Sequence, residues 1–319
     1  MKFIISTLVR KLFLYFTYLF PVYKYGKKKL RIVMYHGIDD DGISLKDFQR
    51  HLSFYNKHFE LFWASEALSI LDNNCNTFSK KPPLILTFDD GLKNNFTKAA
   101  PALSDFNAKG TFYLVSDLLS GSDMLWNHEV RCRLELLSIP QLITLGVELP
   151  VNMHPIPDVA EHVSNYVNDM KSWDQINQFE FLNRLRLQDP KPNYTKAMID
   201  KFSIMSVEEA QLLPSCVEIG SHGETHSLLD TISLDVARNE ISRSKKKLEQ
   251  TIGCKINSFC YPNGNLTEEI TEIVRSEYDL AVTVEDGFVL QGDSRVEFKR
   301  IPAAPELRDL AYRLIRPAS

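Results

Sequence analysis

A run of apolar residues that ends in two adjacent carboxylates constrains this chain more than any other stretch. Residues 84–88 read Leu-Ile-Leu-Thr-Phe, and Asp89, Asp90 and Gly91 follow directly. The run suits a buried strand, and side chains alternate in direction along a strand, so neighbouring carboxylates at its end face different ways. One carboxylate can then hold a metal ion while the other faces a substrate. The alternative is an ordinary turn, because Asp-Gly favours turns.

Two histidines four residues apart provide the other half of a metal site. His222 and His226 follow a second apolar stretch, residues 216–220. At this spacing two imidazoles lie on one face of a helical turn, where both can bind one ion. One carboxylate and two histidines leave coordination positions open for water, as in hydrolytic metal sites. The two motifs together favour a metal-dependent hydrolase.

Both motifs resemble those of the polysaccharide deacetylases with a NodB-type catalytic domain, carbohydrate esterase family 4. The family's TFDDG motif stands unaltered at residues 87–91, and its H-x-x-x-H motif at His222 and His226. The resemblance implies a distorted, seven-stranded (β/α) barrel and metal-dependent removal of an N-acetyl group from a sugar. It implies that Asp89 is the general base and that Asp90 binds the ion with the two histidines. Zinc is the expected ion, although nickel, cobalt and iron also suit these ligands.

The order of the predicted elements agrees with an α/β fold. Strands that alternate with helices at short spacing favour parallel pairing, and the active sites of such sheets lie at the carboxyl ends of the strands. The alternation stops between about residues 120 and 205, which we interpret as a mostly helical insertion that forms a lid or substrate wall. Outside the insertion, helices are predicted at residues 44–59, 62–73, 94–106, 206–209 and 233–252.

A histidine at the end of the first predicted strand is the candidate general acid. A lone histidine there is ordinarily structural. In the branch of the family that includes the biofilm poly-N-acetylglucosamine deacetylases, however, the acid histidine precedes TFDDG, and its Y-H-x-I string matches residues 35–38. No histidine follows His226, so His36 is expected to protonate the leaving amine. The histidines of the insertion are expected to be surface or core residues: His128, His154 and His162.

Residues 259–264 resemble the family's third motif in its F-x-Y-P-x-G form. Here Tyr261, Pro262 and Gly264 allow a tight loop after a strand, where a backbone N–H beside Tyr261 could meet an oxyanion; a plain turn is the alternative. Many members carry an arginine in this motif as the partner of the base, and this chain does not. Arg300, in a string that resembles the one closing this branch, is expected to supply that charge, with Tyr35 as a further supporting residue.

The first 29 residues differ from the rest of the chain. Residues 3–20 are apolar apart from a few polar positions such as Arg10 and Lys11, and a basic stretch follows. This pattern suits a helix lying in a membrane interface with a basic tail for anionic lipid. A spanning anchor, an atypical signal sequence and a packed helix remain open. We expect residues 1–29 to associate with a membrane, on its cytoplasmic face or alternatively on the periplasmic or extracytoplasmic side, and residues 30–319 to form the deacetylase domain.

Composition limits the possible partners. The 319 residues carry a net charge of −4 with both signs interspersed, which gives no support to nucleic-acid binding. Five cysteines without a C-x-x-C pair are expected to be reduced. The expected substrate is an N-acetylated aminosugar of a polysaccharide or glycolipid, as in cell-surface polysaccharide synthesis. The alternatives are a deformylase or deacylase of a lipid-linked aminosugar and a non-catalytic carbohydrate-binding protein. The oligomeric state stays open.

Overall fold

Seven parallel strands close into a barrel in the computed structural model, which describes residues 29–39, 42–72, 81–120, 124–149 and 158–315. The eight strands of the described part are β1 (Arg31–Tyr35), β2 (Glu60–Phe62), β3 (Pro83–Phe88), β4 (Gly110–Leu114), β5 (Val217–Ser221), β6 (Ser258–Cys260), β7 (Leu280–Asp286) and β8 (Phe298–Pro302). Their order is β1-β8-β7-β6-β5-β4-β3, and pairing of β1 with β3 closes the ring. The short strand β2 adds to β3 outside it. The predicted seven-stranded (β/α) barrel is confirmed.

Helices cover the barrel and form most of the insertion. They are α1 (Leu45–His58), α2 (Ala67–Asp72), α3 (Ala100–Asp105), α4 (Trp126–Glu135), α5 (Ile139–Thr144), α6 (Val159–Met170), α7 (Gln175–Gln188), α8 (Lys196–Phe202), α9 (Val207–Gln211), α10 (Leu234–Ile252), α11 (Glu268–Glu277) and α12 (Leu307–Arg313). Ser44 caps α1, because its side chain accepts a hydrogen bond from the N–H of Asp47. Ser206 and Glu209 form a capping box at the start of α9.

Alternating strand residues build two separate apolar cores. On β1, Val33 packs in a large cluster with residues of α1 and α10, whereas Ile32 packs in a second cluster. On β3, Leu84 and Leu86 join the first cluster and Ile85 joins the second. Strand side chains that point outward therefore pack against the helices, and those that point inward fill the interior of the barrel. Asp89 follows Ile85 at even spacing along β3, so it belongs to the inward-facing set.

The insertion is a helical unit with an apolar core of its own. That core is made of Val130, Leu134, Leu142, Val147, Val163, Val167, Met170, Phe181, Leu182 and Leu185. An antiparallel bridge between Met124 and Ser203 joins the two ends of the insertion, and a second bridge, Leu92 with Ile204, fastens its return segment to the residues that follow β3. The sequence predicted a mostly helical insertion, and its described part contains five helices. Their burial depends on one another, so they leave no simple period in the chain.

Two predicted elements outside the insertion differ in detail. Residues 62–73 were expected to form one helix, but β2 ends at Phe62, a 3₁₀ turn spans Ala64–Glu66, and α2 follows. Pairing with the edge of β3 selects the extended form of β2, and local propensity does not report such long-range pairing. The predicted helix over 94–106 begins as a π-helix, Asn95–Ala99, before α3.

The expected membrane segment, residues 1–29, lies almost wholly outside the described residues. Among the helices that the structure does describe, none is long and apolar enough to cross a bilayer. The boundary at residue 30 stays a prediction.

Candidate active site

The carboxyl ends of three parallel strands bring the predicted catalytic and metal-binding residues to one rim of the barrel. Asp89 and Asp90 follow β3, His36 follows β1, and His222 follows β5. The register of β1 and β3 places Tyr35 opposite Phe88, and the N–H of Asp89 donates to the Tyr35 carbonyl at 3.0 Å. His36 is therefore adjacent to the carboxylates although 53 residues separate it from Asp89 in the sequence.

Asp90, His222 and His226 converge into one buried cluster. Nε2 of His222 and Nε2 of His226 lie 3.4 Å and 3.5 Å from the same atom, Oδ1 of Asp90. Nδ1 of His222 donates to the Cys260 carbonyl at 2.8 Å, which leaves Nε2 as the ligand atom. Donor atoms about 3.4 Å apart match ligands that each lie about 2.1 Å from one tetrahedral ion. The cluster therefore fits a divalent metal ion with nitrogen and oxygen ligands.

The two histidines are carried by a loop and not by the helical turn that their spacing predicted. Gly223 has φ of 86° and His226 has φ of 64°, both in the left-handed region. Asp90 also has positive φ, 72°, and is followed by Gly91 at 69°. Left-handed backbone is unfavourable for residues with a Cβ and is concentrated at functional sites. Two of the three candidate ligands thus adopt a strained conformation that the surrounding structure must stabilise.

The carboxylate of Asp89 forms a buried ion pair with the guanidinium of Arg300. The guanidinium of Arg300 donates two hydrogen bonds, each of 2.7 Å, to the two carboxylate oxygens of Asp89. Both side chains are almost completely buried. Burial would raise the pKa of the Asp89 carboxyl, but the charge and hydrogen bonds of Arg300 outweigh burial and hold this pKa below its usual value. Asp89 is therefore ionised at neutral pH and points into the same rim as the cluster of Asp90, His222 and His226.

His36, the candidate acid, and its neighbour Tyr35 have side chains in two different environments. The side chain of His36 is exposed at the rim, close enough to contribute to lowering the pKa of both Asp89 and Asp90. The ring of Tyr35 instead points into the outer core, where its hydroxyl lies 2.7 Å from the Tyr55 hydroxyl. Tyr35 therefore contacts the site through its main-chain carbonyl and not through its side chain, because alternate strand residues face opposite sides.

The third motif forms the tight loop that its proline and glycine predicted. Gly264 has φ of 77°, and a Cβ there would overlap the Val284 side chain, so only glycine fits. The Tyr261 ring is buried and its hydroxyl donates to the Val296 carbonyl at 3.0 Å. The N–H of Tyr261 donates to the Val282 carbonyl at 3.3 Å, and Pro262 has no N–H. The N–H of Tyr261 can therefore donate to an oxyanion only if its long hydrogen bond to the Val282 carbonyl is broken.

The insertion contributes a histidine that the sequence did not single out. His128, on α4, is partly buried with its ring 4.6 Å from that of Phe202. Burial lowers the pKa of His128 to about 4, with smaller effects from Asp90, His226 and His36. His128 therefore lies near Asp90 and His226 as a neutral imidazole. No recognisable motif surrounds it, so sequence patterns could not separate it from the surface or core residue that was expected. His154 lies outside the described residues, and His162 lies on α6.

Residues 193–279 match the family model described as polysaccharide deacetylase. Over these residues the chain is similar to the polysaccharide deacetylase family. Among curated proteins, the putative polysaccharide deacetylase YxkH of Bacillus subtilis is 26% identical over 110 residues, which cover 32% of this chain and 38% of that protein. The matched part thus spans well under half of this relative. The resemblance inferred from TFDDG and H-x-x-x-H is confirmed.

Solved structures of deacetylases share the fold over most of the chain. The Streptococcus pyogenes deacetylase PplD, solved in complex with acetate, has a TM-score of 0.60 and 17% identity, covering 91% of this chain and 99% of that one. IcaB from Ammonifex degensii has a TM-score of 0.58 and 15% identity, covering 91% and 98% of the two chains. At such low identity these similarities show the fold alone, which is the deacetylase barrel.

Proposed function

We propose that this protein is a metal-dependent carbohydrate N-deacetylase that hydrolyses the N-acetyl group of an aminosugar in a polysaccharide or glycolipid. The observation that carries the proposal is that two groups of side chains lie side by side at one rim of the barrel. A buried Asp90–His222–His226 cluster fits a divalent ion, and an ionised Asp89 held by Arg300 lies beside it. The family supplies the reaction type, and the two groups of side chains supply what amide hydrolysis needs.

The candidate ligands would hold the ion through Nε2 of each histidine and a carboxylate oxygen of Asp90. A divalent ion bound there would polarise the acyl carbonyl and a water molecule. Zinc is the ion we favour, and nickel, cobalt and iron suit the same donors.

The remaining steps use side chains of the chain itself. Asp89 accepts a proton from the attacking water, whose oxygen forms a bond to the acyl carbon. Arg300 keeps Asp89 ionised and fixes the direction of its carboxylate. When the carbon–nitrogen bond breaks, the amine must leave with a proton, and we propose that His36, at the rim, delivers it. The products are acetate and a free aminosugar.

The two alternatives differ in what they require of the site. A non-catalytic carbohydrate-binding protein would tolerate loss of the base or of a ligand, yet Asp89, Asp90, His222 and His226 are all present and converge. A deformylase or deacylase of a lipid-linked aminosugar would use the same groups with a different acyl pocket. Residues 1–29 favour a substrate at a membrane, and we propose the cytoplasmic face. The proposed deacetylase and the alternative deformylase or deacylase therefore differ in substrate and not in catalytic groups.

The test is ion-dependent release of acetate by the full chain. Protein stripped with a chelator and reloaded with Zn²⁺, Ni²⁺ or Co²⁺ should release acetate from N-acetylglucosamine oligomers only when an ion is present. The same assay on N-formylated and lipid-linked aminosugars separates the acyl groups and carriers. Asp89→Asn should retain ion affinity and lose turnover on the order of 10²–10⁴-fold, because an amide cannot take a proton from water. Full activity without any ion would contradict the proposal.

A further inference from the structure

A buried carboxylate outside the candidate catalytic groups contacts the loop that carries both histidines. Glu240 lies on α10 and is 6% exposed. Its Oε2 accepts hydrogen bonds from the N–H of Glu224 at 3.0 Å and the N–H of Thr225 at 2.9 Å. Its Oε1 accepts from the Thr225 hydroxyl at 2.6 Å and the Ser227 hydroxyl at 3.4 Å. One side chain thus binds the loop at three positions, residues 224, 225 and 227, none of which is a candidate ligand.

These hydrogen bonds hold the part of the loop that lies between two residues with left-handed backbone. Residues 222–226 turn through two left-handed positions, Gly223 and His226, and the second of these is itself a candidate ligand. A strained backbone persists only when surrounding contacts determine it. Hydrogen bonds from backbone N–H groups to an ionised carboxylate are shorter and stronger than neutral ones. Glu240 supplies two such bonds between the two histidines, so it opposes relaxation of the turn that brings their Nε2 atoms together.

The rest of the loop is anchored from the opposite side. The N–H of Ser116 donates to the Gly223 carbonyl at 3.2 Å, and the N–H of Asp117 donates to the Glu224 carbonyl at 2.9 Å. These bonds fix the loop carbonyls against the end of β4, whereas Glu240 takes the N–H groups that face α10. Between the two histidines, the described contacts leave Glu240 as the partner of the N–H groups of Glu224 and Thr225.

We propose that Glu240 is a positioning residue for the metal site. It acts through the loop and not on the ion: its carboxylate holds residues 223–225 in the shape that directs His222 and His226 to one point beside Asp90. This inference rests on the proposed metal site and adds a residue that is neither a ligand nor part of the base–acid pair. Outer residues that orient ligands typically change metal affinity by roughly 10- to 100-fold when they are removed.

The experiment measures ion affinity of the folded full chain. Competition with a chromophoric chelator gives the Kd for Co²⁺ or Zn²⁺ of wild type and of Glu240→Ala, whose Kd should rise roughly 10- to 100-fold. Glu240→Gln should show a smaller rise, since its amide oxygen can still accept from the two N–H groups without the charge. Glu249→Ala is the matched control, because Glu249 lies on the same helix and accepts the Ile256 N–H at 3.1 Å, far from the loop.

The measured Kd values distinguish a positioning role of Glu240 from a purely structural one. A Kd for Glu240→Ala within twofold of wild type overturns the inference, and so does an equal loss in Glu249→Ala, which would indicate only helix stability. A purely structural role would lower the melting temperature of the metal-free protein without moving the Kd of the folded molecules. Where Glu240→Ala does not fold, an unchanged Kd for Glu240→Gln overturns the inference. Failure of the wild type to bind ion contradicts the proposed function itself.

Discussion

The pair of Asp89 and Arg300 shows how a single contact can set the chemistry of a residue. A carboxylate buried in a barrel favours its neutral form, which cannot act as a base. Arg300 reverses this preference with a planar, two-point contact. Its third nitrogen, Nε, donates to the Thr283 carbonyl at 2.7 Å and fixes the orientation of the guanidinium. A lysine has one ammonium and cannot reproduce this fork.

Replacing Arg300 should therefore change the pH dependence of turnover. The pKa of Asp89 is held low by Arg300, so Arg300→Lys should raise it, and the base should become protonated at a higher pH than in wild type. The acid limb of the kcat/KM profile moves upward in pH, and maximal turnover falls roughly tenfold or more as the carboxylate loses its orientation. Arg295→Lys is the control, because Arg295 donates to the main-chain carbonyls of Arg275 and Tyr278, which precede β7. An unshifted acid limb in Arg300→Lys would contradict the assignment.

The role of His36 can be separated from ion binding by the choice of leaving group. His36→Ala should keep the Kd for Zn²⁺ and lose on the order of 10²–10⁴-fold in turnover on N-acetylated sugars. On an activated acetate ester, whose leaving group needs no proton, the loss should be much smaller. His58→Ala, at the end of α1, controls for removal of a histidine. Equal losses on both substrates would make His36 a binding residue, and a metal deficit would make it a ligand.

At the scale of elements, the insertion is joined to the rim and cannot be treated as a separate appendage. Its return segment pairs with the residues after β3, where the N–H of Met205 donates to the Gly91 carbonyl at 3.0 Å. From α7, Gln175 donates to the Ser227 hydroxyl at 2.5 Å, one residue beyond the candidate ligand His226. Helix α4 places His128 on the same side. The insertion is thus positioned to form one wall of a substrate site.

That position predicts a substrate-binding effect for His128. His128→Ala should raise the KM for an N-acetylglucosamine oligomer roughly tenfold, the effect of one lost hydrogen bond. The Kd for Zn²⁺ and turnover on a small acetate ester should stay within about twofold, because neither needs the insertion. His162→Ala on α6 is the matched control in the same unit. A KM unchanged on the oligomer would exclude His128 from the substrate wall.

The parts of this structure that could be predicted depend on local signals. The strand that ends in Asp89 and Asp90 and the histidine pair could be identified because each motif lies within a few consecutive residues. The contact between Asp89 and Arg300 spans 211 residues, and family resemblance alone suggested it. The five helices of the insertion pack on one another, so their period is weak. The loop at His222 was mistaken for a helical turn because i,i+4 spacing satisfies both shapes, although Gly223 between the ligands was a sign of left-handed backbone.

At the scale of the whole molecule, a buried histidine of α1 joins that helix to β1 and to the segment between β8 and α12. Nδ1 of His51 lies 3.1 Å from the Tyr35 hydroxyl, and Nε2 lies 3.3 Å from the Pro305 carbonyl. Since a carbonyl can only accept, Nε2 carries the proton and Nδ1 accepts from Tyr35. His51 is completely buried, and this arrangement satisfies both nitrogens only in the neutral form. Protonation of His51 would add a donor where the structure requires an acceptor.

This network predicts that stability falls as the pH drops below neutrality. Burial lowers the pKa of His51 to about 4, whereas an unfolded chain has a histidine pKa of about 6.5. Between these values the unfolded chain binds the extra proton, so the contribution of His51 is complete above about pH 6.5 and is lost as the pH falls towards 4. Two and a half pKa units correspond to about 3 kcal/mol of unfolding free energy.

Urea unfolding of the chelator-treated protein at pH 7.5 and pH 4.5 measures this effect. His51→Gln should reduce the difference between the two pH values by about 2–3 kcal/mol, because the titrating group is gone. Tyr55→Phe removes a hydroxyl from the same network without removing the imidazole, since the Tyr55 hydroxyl lies 2.7 Å from that of Tyr35. That variant should be less stable at both pH values and should keep the wild-type difference between them. If His51→Gln keeps the full difference, the loss of stability in acid arises elsewhere, and the buried network joins β1 to α1 without sensing pH.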